Sequence, residues 1–495
     1  MTRAPDVLVL IADCVAAREL GGSSPGGSGL PNIASLAEHG ISCSRAVSPS
    51  NWTLPSHASM FTGLDPWDHG TVEESRPLPK WATTFAQKTL SSGYRTASFS
   101  ANPYVCDTTG LTKGFETAVW GRWGECYLRG FGPISTPTGR VDFPTKLDLR
   151  DPPPREQGGY WIRRFVSRSL VDLPIVPELL TRLGPQYGGE DGARGPAISS
   201  WMESLAEDWM KRIPPSRPLL AFVNLMDAHE PYLGVSHGKG ELKRLWSDWR
   251  ASSSGARFSR ERVELPRHEY LARLHQLYRR GIEIVDSRIG SLLSMIKRHR
   301  GLDRTVVIFS ADHGQAFGEG GALFHRVGTE DVLFRVPLIV SWPGSQPSRE
   351  DFQSWVSTSS IYSMVDCLTR EPQESRKDTA LRALRDESLR RPIWGLGNTL
   401  TLPQRRSRGA QRRPAAAPSL VGYWGNSKVV LRSTSQGWIV DSDLSSLSVE
   451  DRTSFAVDEI GRLGIRTPKL GGLPKASDGG ESAAVSKRLI GWGYA

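Results

Sequence analysis

Thr305-Val-Val-Ile-Phe-Ser310 is an apolar run that reads as a β-strand, and one alanine later it delivers Asp312, His313 and Gly314. A strand ending in adjacent oxygen and nitrogen donors can present both to one divalent cation at the carboxyl edge of an α/β sheet. Val7-Leu-Val-Leu-Ile-Ala12 repeats the pattern and ends on Asp13. Two strand ends can therefore supply a single hard-metal site.

Outward from these two runs, strand patterns near 6 to 12, 95 to 101, 218 to 226, 305 to 310 and 336 to 341 alternate with helix-compatible stretches. The latter lie near 31 to 40, 56 to 62, 80 to 92, 194 to 212 and 268 to 298. This alternation predicts an α/β fold in which helices pack on both faces of a largely parallel central sheet. Short strand patterns at Ser419-Leu-Val-Gly-Tyr-Trp424, Lys428-Val-Val-Leu-Arg432 and Gly437-Trp-Ile-Val-Asp441 add a small antiparallel C-terminal subdomain.

A third chemical element is Asn51-Trp-Thr-Leu-Pro-Ser-His-Ala-Ser-Met-Phe-Thr-Gly63, with Thr53 just ahead of Pro55 at the apparent start of a helix. Proline suits an early helical position, and the orphan amides of the first turn can hold an anion beside Thr53. Metal coordination favours ionisation of a threonine hydroxyl, so Thr53 is a candidate nucleophile toward a phosphate or sulfate group.

With these residues in place the chain resembles the sulfatase-like branch of the alkaline phosphatase superfamily. The resemblance runs in order through Asp13, Pro31-Asn-Ile-Ala-Ser-Leu-Ala-Glu-His-Gly40, the Thr53 segment, Thr62-Gly63 with His69-Gly70, and Gly93-Tyr-Arg-Thr96. It continues through Asp227-Ala-His-Glu-Pro-Tyr232, Ile284-Val-Asp286 and the segment from Ser310 to Pro343. The fold it implies is an alkaline-phosphatase-like sandwich. Sulfatases of the usual type carry Cys or Ser at the Thr53 position and Arg at the His57 position, and oxidise the former to formylglycine. Threonine would give a ketone, so the aldehyde route is closed, and the second acid after the first strand is replaced by Cys14.

What remains is similar to family members that keep a threonine nucleophile, among them relatives of the phosphonate monoester hydrolases and the phosphoglycerol transferases. By that resemblance Asp13, Thr53, Asp312 and His313 hold one divalent metal ion. Mixed oxygen and nitrogen donation favours Mn²⁺ or Zn²⁺, with Ca²⁺ still admissible. His229 and His325 are the candidates to protonate a leaving alkoxide, and Asn51, His57 and Asp227 are expected to bind substrate. His57 has two open readings, an anion contact in place of the family arginine or a helix cap. His69 is expected to be a structural turn residue and Cys14 a small buried hydrophobe.

The expected activity is metal-dependent hydrolysis or transfer at phosphate or phosphonate esters, with sulfate ester hydrolysis as the alternative and a noncatalytic anion- or nucleic-acid-binding protein as the reading from another class. The expected division is a catalytic domain over 1–370 with an insertion at 120–190, a charged and partly linker segment at 371–418, the small subdomain at 419–466 and a mobile tail at 467–495. Five cysteines, at positions 14, 43, 106, 126 and 367, show neither paired nor zinc-type spacing, which favours a reducing compartment. The first strand begins almost at once and no apolar run has bilayer length, so the expectation is a cytoplasmic protein without a membrane span. A net charge of +10 attracts an anionic ester, but the densest basic run, Arg405 to Arg413, reads as a solvated loop and nucleic acid is not the expected partner.

Overall fold

The computed structural model describes residues 4–20, 29–73, 76–122, 125–130, 134–136, 139–141, 198–230, 232, 268–326, 328–370, 376–388, 393–397, 419–424, 427–434 and 437–440. The strands that build the main sheet are β1 (Asp6–Ala12), β2 (Gly40–Cys43), β3 (Arg95–Ser100), β4 (Thr117–Arg122), β5 (Glu125–Arg129), β6 (Leu219–Leu225), β7 (Thr305–Ser310), β8 (Leu338–Ser341) and β9 (Glu350–Phe352). Their spatial order is β9-β2-β8-β7-β1-β6-β3-β4-β5. The run from β7 to β4 is parallel throughout, while β8 and β5 pair antiparallel to their inner neighbours. The predicted α/β fold with a mixed, mostly parallel sheet is therefore present.

The apolar strands are continuous because both faces of the sheet are covered. Along β1, Leu8, Leu10 and Ala12 join one core with α1 (Pro31–Glu38), α4 (Ile198–Arg212) and α5 (His268–His299). The alternate residues Val7, Val9 and Ile11 join the other, with α2 (Thr53–Thr62), α3 (Phe85–Ser91), α6 (Ser360–Arg370) and α7 (Arg376–Ser388). No helix among the described residues is long and apolar enough to cross a membrane.

A four-stranded antiparallel sheet follows, β10 (Ile393–Gly397), β11 (Ser419–Trp424), β12 (Ser427–Thr434) and β13 (Gly437–Val440), paired in that order. It is one strand larger than the sequence pattern indicates, because β10 and α7 form within the stretch read as charged linker. Ile393, Val421, Tyr423 and Val430 share a core with Val47, Phe334 and Trp355 of the main domain. The basic run at 405–413, the tail at 467–495 and most of the expected insertion, from 142 to 190, lie outside the described residues.

Because β1, β3, β6 and β7 are parallel, their carboxyl ends lie along one edge. Asp13 follows β1, Asn102 follows β3, the Asp227–Glu230 turn follows β6, and Asp312 with His313 follow β7. The crevice outside this edge is where α/β sheets place their chemistry.

Candidate active site and metal centre

Helix α2 begins at Thr53 itself, three residues earlier than its sequence pattern indicates, and Trp52 at its N-cap offers no capping side chain. Gly63 closes it in the left-handed conformation, φ 70°, which a glycine adopts without strain. The short helix thus delivers the threonine hydroxyl and uncapped first-turn amides to the sheet edge.

Thr53, Asp13, Asp312 and His313 are all buried and converge. Thr53 Oγ1 is 3.3 Å from His313 Nε2. The same nitrogen lies 3.4 Å from Asp312 Oδ2 and 3.9 Å from Asp13 Oδ1. His313 Nδ1 is 3.0 Å from the Gly314 carbonyl, which only accepts, so the ring proton resides on Nδ1 and the Nε2 lone pair points toward two carboxylates. Gly314 must be glycine, since a Cβ there would meet the Val332 carbonyl oxygen at 1.8 Å.

That arrangement fits a cation. Asp312 Oδ1 accepts from the Cys14 and His313 amides at 3.2 and 3.0 Å, yet the buried Oδ2 has no hydrogen-bond partner. Among the described residues neither Asp13 nor Asp312 pairs with a lysine or arginine; their ionic neighbours are imidazoles. Burial pushes the Asp312 carboxyl well above its ordinary range, and the Asp13 charge adds to the effect. For Asp13 burial acts in the same direction, but His229, His313, His57 and the Asn102 amide outweigh it and hold the group below 3.8. Burial also lowers His313 to about 4, so it is a neutral donor at physiological pH. Two buried carboxylates, an orphan acceptor and an inward lone pair make a donor set that a divalent ion would fit.

Asn102 is the residue that the sequence reading missed. Its Nδ2 donates to Asp13 Oδ2 at 2.6 Å and lies 3.4 Å from Thr53 Oγ1, tying the Thr53 hydroxyl to the Asp13 carboxylate. Its position two residues past β3 was the available clue.

The remaining candidates divide by location. His229 and His325 lie together with ring centroids 5.0 Å apart, and His325 is 4.5 Å from the His313 ring. Burial, with the His313, His229 and Arg326 charges, drives His325 well below 6.5. His57 sits behind Thr53, its Nδ1 donating to the Thr53 carbonyl at 3.0 Å and its ring edge-on to Phe61 and Phe222. Asn51 Nδ2 donates to the Gly328 carbonyl at 3.1 Å, and its own carbonyl accepts from the Arg326 amide, so it clamps the His325 loop. Asp227 accepts from Nε of Arg288 at 3.0 Å while Nη1 of that arginine donates to Glu203 at 2.9 Å, and the pairing fixes the turn that carries His229. His69 is buried, accepting from the Thr71 amide at 2.9 Å, with Nε2 3.0 Å from Ser59 Oγ.

The sulfatase family model matches residues 5–369, and the chain belongs to that family of hydrolases within the alkaline phosphatase superfamily. Arylsulfatase K of Bos taurus is 24% identical over 371 residues, covering 73% of this chain and 61% of the bovine protein. An ulvan-active sulfatase of Formosa agariphila is 23% identical over 356 residues, 69% of this chain and 56% of that protein. The matches thus span less than two thirds of those relatives. Among solved structures, the phosphonate monoester hydrolase of Agrobacterium radiobacter superposes with a TM-score of 0.59 at 17% identity, over 93% of this chain and 94% of that one. At that identity the likeness establishes the fold.

Proposed function

We propose that this chain is a metal-dependent hydrolase or transferase of phosphate or phosphonate esters, with Thr53 as nucleophile. The observation that carries the reading is the Thr53 hydroxyl 3.3 Å from His313 Nε2, at the helix position where a formylglycine precursor would stand. Asp13, Asp312, His313 and Thr53 would hold the ion, Mn²⁺ or Zn²⁺ by donor type, with Ca²⁺ admissible. The chemistry such an ion supplies is a lowered hydroxyl pKa and withdrawal of charge from the ester oxygens.

Thr53 Oγ1 loses its proton to solvent and attacks phosphorus in line, while Asn102 fixes its direction. The ester P–O bond breaks, and the departing alkoxide takes from the wall formed by His229 and His325 a proton that solvent then replaces. Water then attacks the phosphothreonine, releasing the phosphoryl product and restoring the hydroxyl. An acceptor alcohol in place of water gives transfer.

Sulfate ester hydrolysis is the second reading, and the curated relatives favour it, since those named above are sulfatases. It would require direct attack by threonine on sulfur. Metal-loaded protein assayed against phosphomonoesters, phosphodiesters, phosphonates and sulfates of one leaving group decides between them. A higher kcat/KM for at least one phosphorus ester is expected, with mass spectrometry finding unmodified threonine at position 53. A consistent sulfate preference across leaving groups would establish the second reading.

A further inference from the structure

Glu230 is a buried carboxylate that the reaction above leaves unused, and Gln315 is the buried amide that holds it. Gln315 Nε2 donates to Glu230 Oε2 at 2.7 Å and to the Tyr232 hydroxyl at 3.1 Å. A carboxylate oxygen only accepts, so the amide faces it with its nitrogen and the Gln315 carbonyl oxygen is turned the other way. There it meets His325 Nδ1 at 3.2 Å.

The backbone brings the two side chains together. Ala316–Phe317 and Leu323–Phe324 form a two-stranded antiparallel ribbon in which Ala316 is paired with Phe324. Gln315 and His325 are the next residues along its two strands. On either side of His325, Phe324 and Arg326 hold left-handed φ of 63° and 80°. Such strain in a non-glycine residue persists only where its surroundings fix it, and here the Arg326 amide donates to the Asn51 carbonyl at 3.1 Å.

The groups facing His325 Nδ1 all accept. They are Gln315 Oε1 at 3.2 Å, Glu230 Oε1 at 3.5 Å and Cys14 Sγ at 3.7 Å, whose own proton goes to Asp13 Oδ1 at 3.2 Å. Of the three, Gln315 alone lies within ordinary hydrogen-bond reach. The resting proton of the ring therefore sits on Nδ1, and Nε2 is left as the nitrogen that can exchange a proton with the reaction. His229 is oriented in the same sense by a different acceptor, the Glu230 backbone carbonyl 2.5 Å from its Nδ1. Glu230 thus backs both imidazoles, directly at His229 and through Gln315 at His325.

We propose that Gln315 is a positioning residue of the reaction: anchored on Glu230 and Tyr232, it sets the His325 tautomer and aims Nε2 at the departing oxygen. The kinetic consequence rests on the proton delivery in the functional reading above; the tautomer does not. The Nε2–H bond breaks as the O–H bond of the leaving alcohol forms, Nδ1 keeps its proton against Gln315, and solvent then restores the proton at Nε2. With an apolar side chain at position 315 the ring loses its nearest acceptor and its fixed orientation. Delivery then weakens most where the leaving oxygen is most basic.

Two measurements test the assignment. In metal-free, full-length protein carrying ¹⁵N-labelled histidine, the His325 resonances, assigned by their loss in His325→Gln, should report the Nδ1–H tautomer. An Nε2–H tautomer overturns the proposal, and this readout needs neither turnover nor a folded Gln315 variant. In metal-loaded Gln315→Met, shown folded by near-ultraviolet circular dichroism, kcat/KM should fall on the order of a hundredfold for an alkyl ester and at least about tenfold less for the nitrophenyl ester of the same acid. An equal loss for both leaving groups would mean a merely structural role, and an alkyl-ester loss below about threefold would mean none; either result overturns the proposal. The pair of esters is taken from whichever class, phosphorus or sulfur, the wild type prefers. A sulfate preference therefore removes the phosphoryl reading without touching this one.

Discussion

Strand β1 carries a buried aspartate just inside one end and another just past the other, and the protein treats them in opposite ways. Asp6 opens the strand and is gripped by Arg300, whose Nε and Nη2 reach its two oxygens at 2.9 Å each. The Leu219 amide adds a third bond to it at 3.0 Å. Asp13 stands past the other end beside a second carboxylate, Asp312, and among the described residues neither pairs with a lysine or arginine. A bidentate guanidinium neutralises the first charge within the fold. At the opposite edge the charge is left for something that binds. The sheet thus has a structural margin and a chemical margin.

The widest separation of the two margins is kinetic. Thr53→Ala deletes the attacking oxygen and should lower kcat on the order of a thousandfold or more. Because Thr53 is also one of the proposed ligands, the comparison is made at saturating metal, and the melting temperature of the metal-free protein should stay close to wild type. Wild-type turnover in a fully metallated Thr53→Ala protein would remove Thr53 as nucleophile.

Next in size is the structural margin. Asp6→Asn leaves the buried Arg300 guanidinium with carbonyl partners at Ile213, Pro214 and Arg217 but no counter-charge. Breaking a buried pair in this way should cost about 3–5 kcal/mol in urea unfolding. Metal uptake per folded molecule should be unchanged. A cost below about 1 kcal/mol would show that carbonyls alone support the arginine.

The chemical margin should respond with the opposite sign. Asp312→Asn replaces the orphan Oδ2, or its equivalent, with an amide that can donate to the His313 Nε2 lone pair 3.4 Å away. In metal-free protein this should raise stability by about 1–2 kcal/mol, while metal binding at the Asp13–Asp312–His313 centre is lost. Unfolding curves with and without metal check both parts, and destabilisation of the metal-free form would erase the contrast between the margins.

The legibility of the sequence follows the same division. Strands flanked on both sides by helices must be apolar throughout, so β1, β6 and β7 stand out, and so do the donors placed directly after them, Asp13, Asp312 and His313. Thr53 was legible from its proline and the family resemblance. Asn102 was not, because an asparagine before a proline reads first as turn chemistry. Glu230 and Gln315 carry no sequence period at all, and their hydrogen bond at 2.7 Å joins turns 85 residues apart. Asp227 matched a family segment, but the salt bridge that engages it comes from Arg288 on α5, a tertiary pairing invisible to local pattern. Strand β10 was hidden by its short length and charged surroundings.

The smallest expected effect compares two buried imidazoles. His313 directs a lone pair at carboxylates, whereas His69 is satisfied within the protein: the Thr71 amide occupies Nδ1, so Nε2–H donates to Ser59 Oγ. Burial lowers His69 to about 3. In an unfolded chain the group titrates near about 6.5, so on acidification the unfolded state takes up the proton first. The stability contributed by neutral His69 is therefore complete above the unfolded value and is lost progressively as pH falls toward the folded one. The slope from this one group approaches about 1.4 kcal/mol per pH unit. His69→Gln should flatten the pH dependence of unfolding by about one proton between about pH 6 and pH 4, whatever it does to stability at neutral pH. The flattening should persist when metal is added, because no cation contact is involved. Parallel slopes for the variant and the wild type would mean that His69 protonates in the folded state, and that burial alone does not keep an imidazole neutral in this fold.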